Sequence, residues 1–353
     1  MCGICGFVGN GNKSILINMR EKMLHRGPDD AGIYLNLENQ IGLGHRRLSI
    51  IDLSERGRQP MESSSGENVI TYNGEVYNYL EIKRELEKNG ISLHSELGSA
   101  HIQPKIISES NDAGYFDFVV LSCKAYDLDS AIESVRPHLD KETVVIPFLN
   151  GVAHLEVLDT EFGHDHVAGG VAHLAVTQTK VGVIQHLNNI HKFTVGSRHE
   201  EQLHKLEQLS HSWSKANLGF SISNNIEQDM WDKFIFLSTL AGATCTMRSS
   251  IGTILETSYG ESYIVRLLNE CIDVATANSR EPNEQQITNY RNQLTEKGST
   301  YTASMLRDIQ KNSKIEGEHI IGDMIKKGIR QKIKLPCMET AYTHLQAYEL
   351  ERI

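Results

Sequence analysis

Residues 116–127 read FDFVVLSCKAYD, and residues 144–151 read VVIPFLNG. Residues 118–121 and 143–148 are short apolar runs without polar alternation, the pattern of strands buried on both faces. Between them, residues 129–139 have helical spacing, with Asp129 as a plausible N-cap. Two buried strands joined by a helix form a βαβ unit, hence a parallel sheet. Lys124 and Asn150 follow these strands. The carboxyl ends of the strands are where α/β sheets bind ligands.

Working outward, residues 152–158 open another helix. Residues 167–175 and 180–184 read as later strands joined by a Thr-rich turn. From residue 200 the strands are expected to end. Residues 200–210, 226–241, 252–258, 261–277, 284–297, 301–311 and 316–329 all show helical periodicity, which predicts an all-helical domain. Upstream, the first hundred residues read as a β-rich layer with one or two helices. Residues 2–8 form a strand ending at Gly9, Asn10 and Gly11, and residues 15–24 have helical spacing. Residues 41–43 and 48–51 are strands around a polar turn at 44–47. Residues 69–72 form a strand broken by the turn pair Asn73-Gly74. Residues 79–88 form an amphipathic helix that stops at Asn89-Gly90. The expected domains are 1–97, a partial β layer; 98–199, a partial Rossmann-like nucleotide-binding domain; and 200–353, a helical domain.

The 353 residues leave room for two or three domains. An apolar fraction of 39% and a charged fraction of 23% are those of a soluble globular protein. The net charge of -10 argues against a nucleic-acid partner, which needs a basic footprint. No apolar run approaches the length of a membrane span, and MCGICGFVG lacks the pattern of a signal peptide. The cysteines at 2, 5, 123, 245, 271 and 337 are too scattered for a disulfide scaffold. Cys2 and Cys5 form a CxxC with no second ligand pair at zinc-finger spacing, so no metal is expected. The expected location is cytoplasmic.

Two constellations carry chemistry. Removal of Met1 would leave Cys2 with a nucleophilic thiol beside its own α-amine, which can act as its base. Around it stand HRGPDDAG at 25–32, GHRRLSIIDLS at 44–54, GRQPM at 57–61 and NGEVYNY at 73–79. In order and spacing these resemble the N-terminal class II glutamine amidotransferase domain of asparagine synthetases, over roughly residues 1–97. The resemblance implies that Cys2 attacks the glutamine amide and that Arg47 holds the α-carboxylate. It also implies that Asn73 and the Gly74 N–H form the oxyanion hole and that Glu75 helps grip the substrate. Read without the other motifs, Asn73-Gly74 is more readily only a hairpin turn. The family's aspartate for the α-amine has no counterpart in LHSELGSA at 93–100. The remainder of the glutaminase fold and the ATP-binding synthetase domain are also missing.

The second constellation joins the two quoted stretches to MWDKFIFLSTLAG at 230–242, SMLRDIQKNSKIEGEHIIG at 304–322 and KLP at 334–336. Together they resemble the 2-dehydropantoate 2-reductases, or ketopantoate reductases, from about residue 104 onward. The resemblance implies NADPH-dependent reduction of 2-dehydropantoate to pantoate. Lys233 would be the acid that meets the ketone oxygen, and Glu316 would orient the lysine and the substrate hydroxyl. Ser304 would bind the substrate carboxylate, Asn150 would contact substrate and cofactor, and Lys124 would face the cofactor. From spacing alone, Lys233 also reads as a surface lysine and Glu316 as a solvated helix start. Two departures stand out. Leu237 occupies the place, one turn after the lysine, where the family often has asparagine. The GxGxxG strand–turn–helix that seats the pyrophosphate is absent near residue 104.

Three readings follow: a reductase of a small-molecule substrate using NADPH, a glutamine-hydrolysing amidotransferase, and an inactive fusion product. No membrane or nucleic-acid partner is expected, and the helical domain is a candidate to form a homodimer.

Overall fold

The computed structural model describes residues 3–9, 11–24, 30–47, 59–62, 69–70, 79–105, 107, 114–214, 216 and 218–352. The chain divides into two compact units, Met1–Lys88 and Asn89–Ile353.

In the first unit, β1 (Gly3–Val8) precedes α1 (Lys13–Glu21), β2 (Asp30–Asn36) and β3 (Ile41–Arg47). The strands form an antiparallel sheet in the order β1-β3-β2. Asn12 caps α1 by accepting the Ile15 N–H at 3.0 Å, and Leu16 on that helix is fully buried. The expected turn at 44–47 is corrected. β3 runs unbroken through those residues, paired with β1 from Val8↔Ile41 to Gly3↔Arg46. The polar run from Gly44 to Arg47 reads as a turn, yet it continues the strand. Gly42 leaves room for the Phe7 ring, and Gly44 for the Cys5 thiol. A short pair, β4 (Met61–Glu62) with β5 (Val69–Ile70), and helix α2 (Tyr79–Asn89) follow.

The second unit opens with β6 (Ile91–His94) and β7 (Ala100–Ile102), then β8 (Phe118–Leu121), α3 (Leu128–Val135), β9 (Val144–Pro147) and α4 (Ala153–Phe162). The βαβ reading holds: β8 and β9 pair in parallel, Phe118↔Val144 to Leu121↔Pro147. Val144, Val145 and Ile146 are all buried, and Val145 packs in a different cluster from its two neighbours. A strand enclosed on both faces has no use for polar residues. Asp129 is not the cap. Asp127 precedes the helix and makes no side-chain capping bond.

β10 (Gly169–Lys180) and β11 (Val183–Gly196) form one long hairpin turning at Val181-Gly182, longer than the two strands expected. The threonines of the expected turn lie within β10. The parallel bridge Val145↔Val167 ties the start of this hairpin to β9, and β6 pairs in parallel with β11. After α5 (Leu203–Trp213), β12 (Gly219–Ser223) adds beside β11. Strands therefore continue past residue 200, contrary to expectation. The remainder is helical: α6 (Ile226–Met247), α7 (Ile251–Leu255), α8 (Gly260–Ala277), α9 (Glu284–Leu294), α10 (Ser304–Gln310), α11 (Asp323–Arg330) and α12 (Pro336–Glu351). The fold is thus mixed α/β sheets followed by a largely helical region.

Helix α6 is the centre of that region, with buried residues on all sides, as expected of a helix enclosed by others. Asn225 caps its start, and Arg248 ends it in the left-handed conformation. Its seat on the sheet is set by two cross-strand partners, Gly169 and Gly196. A Cβ on either would lie within 2.6 Å of the Ile226 side chain. The paired glycines let the start of α6 lie directly on the hairpin, and this close approach positions the candidate site.

Candidate active site

Lys233 lies in the second turn of α6 and reaches back to the hairpin, where its Nζ donates to the Ala172 carbonyl at 2.7 Å. Burial pushes its ammonium down from the usual 10.5 to about 8, against the opposing pull of the Glu316 charge. A cationic amine that titrates near neutrality is suited to proton donation. A lysine has three donors, so Ala172 anchors the head and leaves two free.

Lys233 lines a cleft of about 510 Å³ together with Asn150 and Ser304. Asn150 stands after β9, and the next residue, Gly151, takes φ +79°. A side chain on Gly151 would meet His319 at 3.3 Å, so the loop carrying Asn150 is pressed against the π-helical turn Glu318–Gly322. Ser304 is the first residue of α10. The N–H of Ala303 donates to Thr244 Oγ1 at 3.2 Å, which fixes the start of that helix against α6.

Lys124 and Glu316 meet one another outside that lining. Lys124 Nζ lies 3.3 Å from Glu316 and 2.9 Å from Asp308. Glu316 also accepts the Ala125 N–H at 3.1 Å and lines a second cavity of about 710 Å³. Burial lowers the Lys124 ammonium, but the two carboxylates more than offset this and hold it above the ordinary lysine value. Glu316 is buried and doubly engaged, which fits a positioning group and not a solvated helix start. The polar residues of this region that were not singled out from sequence include Asp308, which completes the Lys124 pair, and Lys192, Arg307, Asp229 and Asp232, which line the cleft. Asp308 and Arg307 lie inside the SMLRDIQ stretch, but as charges on a short amphipathic helix they carry no signal of their partners.

Behind Asn150, His154 and His319 stack with centroids 5.7 Å apart. Burial lowers His154 to about 3, with the positive charges of its neighbours acting in the same sense, so the ring is neutral. In the first unit, Arg47 ends β3. Cys2, Asn73, Gly74 and Glu75 lie outside the described residues.

A nicotinamide cofactor can be tested against these residues. The parallel strands β8 and β9 bring Lys124 and Asn150 to the ends of adjacent strands; Asn150 lines the cleft, which fits the nicotinamide end, while Lys124 is held outside that lining by Glu316 and Asp308. Among the described residues of 89–353, no strand–glycine turn–helix precedes β8 to receive a pyrophosphate.

Sequence profiles of two families match the chain. The glutamine amidotransferase domain matches residues 1–99. The ketopantoate reductase PanE/ApbA profile matches residues 76–200, and the PanE/ApbA C-terminal profile matches residues 225–349. The uncharacterized oxidoreductase YkpB of Bacillus subtilis is 33% identical over 268 residues, covering 76% of this chain and 88% of that protein. The chain belongs to the ketopantoate reductase PanE/ApbA family. The crystal structure of 2-dehydropantoate 2-reductase from Methylococcus capsulatus has the same fold, with a TM-score of 0.68 at 20% identity, over 77% of this chain and 87% of that one. This PanE/ApbA chain also carries an amidotransferase-like domain in front. Asparagine synthetase [glutamine-hydrolyzing] 1 of Bacillus subtilis is 38% identical over 103 residues, which are 26% of this chain and 16% of that synthetase. The two profiles overlap over residues 76–99, the stretch that holds α2 and β6. No helix among the described residues is long and apolar enough to cross a membrane.

Proposed function

We propose that the protein reduces the ketone of a 2-oxo acid to the 2-hydroxy acid with NADPH, with 2-dehydropantoate as the reference substrate and pantoate as its product. The observation that carries this reading is the convergence of Lys233, Asn150 and Ser304 on one cleft, with the Lys233 ammonium held near 8. NADPH supplies the hydride when bound. Lys124 and Asn150 are the residues that would hold its nicotinamide end. Lys233 Nζ donates a hydrogen bond to the ketone oxygen and then its proton, as charge develops there. Ser304, exposed at the first turn of α10, hydrogen-bonds the carboxylate. Glu316 fixes Lys124 and, through its charge, keeps Lys233 protonated to a higher pH than burial alone would allow. A homodimer belongs to the same reading, and light scattering would register twice the chain mass.

The test is a titration with NADPH read by fluorescence quenching. Saturable binding at micromolar concentration is expected, weakened about tenfold or more in Asn150→Ala, the scale of one lost hydrogen-bonding group. Absence of binding up to millimolar NADPH would leave the reductase fold without reductase activity.

The second reading is glutamine hydrolysis. It is supported by the pairing Gly3↔Arg46, which sets the beginning of β1 beside the end of β3, where Arg47 stands. Ammonia release from glutamine, abolished by Cys2→Ala, is the expected sign. A release rate unchanged in that variant would sink this reading.

A further inference from the structure

The cleft also carries information about the side chain of its substrate. Lys233, Phe236, Leu237 and Leu240 all line it, at spacings of three and four residues along α6. They form one helix face, so the groups one and two turns beyond the ammonium are purely hydrocarbon. The Phe236 ring lies 6.2 Å from Tyr290 and 6.0 Å from Tyr301, both of which also line the cleft. The Tyr290 hydroxyl is committed to the Asp232 carbonyl at 2.9 Å. Opposite chemistry comes from α10, where Ser304 and Arg307 lie three residues apart on the cleft side. A guanidinium and a hydroxyl on one face suit a carboxylate.

From this arrangement we infer that the site accepts 2-oxo acids whose side chain is a branched or aromatic hydrocarbon, in preference to hydroxylated ones, and that Leu237 is the specificity-determining residue. The inference rests on the reductase reading above. With the carboxylate on Ser304 and Arg307 and the ketone oxygen on Lys233, the side chain runs along the α6 face. A hydroxyl placed against Leu237 and Leu240 loses its water and gains no hydrogen bond from those two side chains, whereas a methyl or phenyl group gains contact there.

The discriminating pair is trimethylpyruvate and 2-dehydropantoate, which differ by one hydroxyl, with phenylglyoxylate as the aromatic case. With NADPH, kcat/KM is expected to be about tenfold to a hundredfold higher for trimethylpyruvate, the range by which an apolar pocket discriminates against an added hydroxyl. Leu237→Asn is expected to bring the ratio to unity or reverse it. A wild-type preference for 2-dehydropantoate would overturn the inference, as would a ratio untouched by Leu237→Asn. Reduction of none of the three acids would count against the reductase reading alone. In that case calorimetric titration of the intact chain with trimethylpyruvate and 2-dehydropantoate decides the pocket chemistry. Tighter binding of trimethylpyruvate supports the inference, and equal or weaker binding overturns it.

Discussion

Replacing Lys233 by alanine is expected to lower kcat for ketone reduction by about 10³-fold, within the 10²–10⁴ range of a positioned general acid. The change removes the proton donor and also frees the Ala172 carbonyl, whose bond is on the cleft wall and not in the core. The fold should therefore survive, with an unchanged circular dichroism spectrum. The pH profile gives a second, independent reading. Lys233 must carry its proton to act, and in the folded chain it loses that proton at about 8. The rate should be level below that value and fall above it. Stability should move the other way. An unfolded lysine keeps its proton up to about 10.5, so between about 8 and 10.5 the unfolded chain binds more protons and stability rises with pH. A rate that falls while the melting temperature holds or rises identifies Lys233 titration and excludes alkaline unfolding. Glu316→Gln removes the charge that opposes desolvation, so the fall in rate should begin at lower pH. A profile that stays in place in Glu316→Gln would break the link between these two residues.

Part of this site could be read from the chain alone, for reasons that differ residue by residue. Lys124 and Asn150 were legible because they follow apolar runs, although only β9 is buried on both faces; in β8 Val120 is exposed, contrary to the expectation of two enclosed strands. Lys233 was legible only through its family motif. Periodicity cannot separate a cleft lysine from a surface one, since the Gly169–Gly196 seat that brings it to Ala172 is a contact across the sheet. Asp308 was silent for the same reason: its partner Lys124 lies 184 residues away. The hairpin β6–β7 was not expected. β7 is exposed throughout, so its sequence has no alternation to reveal it. β12 is only five residues long and owes its existence to the waiting edge of β11. Helix α12 was passed over because its capping is tertiary. The N–H groups of Cys337 and Met338 are received at 2.9 Å by the Glu270 carboxylate of α8. In the first unit, Gly44, which leaves room for the Cys5 thiol, and the polar residues after it imitated a turn. Local propensity failed wherever a distant partner decided the structure.

The largest stability effect is expected at Arg198, whose side chain is only 5% exposed. It follows β11, and its two terminal nitrogens meet both oxygens of Asp159 on α4 at 2.7 Å. Its Nε lies 3.3 Å from Glu227 in the first turn of α6, and Nη1 also donates to the Val167 carbonyl at 3.3 Å. One guanidinium thus fastens the sheet, α4 and the helix that carries Lys233. Arg198→Met keeps much of the volume but takes the guanidinium away from both Asp159 and Glu227. Breaking a buried pair costs about 3–5 kcal/mol. Asp159 and Glu227 retain partial access to water, and Glu227 keeps Arg280, so a loss of about 3 kcal/mol is expected in urea unfolding. Arg198→Lys should lose less, since one charge remains but the bidentate geometry does not. The acid limb supplies the sign. Burial pushes the Asp159 carboxyl up, and Arg198 more than offsets it, leaving the group below its usual value. Its contribution is therefore full above the ordinary carboxylate range and is lost as pH falls through the lowered folded value. In Arg198→Met the burial effect is unopposed by that partner, and this acid-side loss should diminish or reverse. Adding Asp159→Asn to Arg198→Met should restore part of the lost stability, because the stranded charge is then gone. Additive losses in that cycle would mean that the two residues stabilise the fold independently and that the guanidinium acts by packing alone.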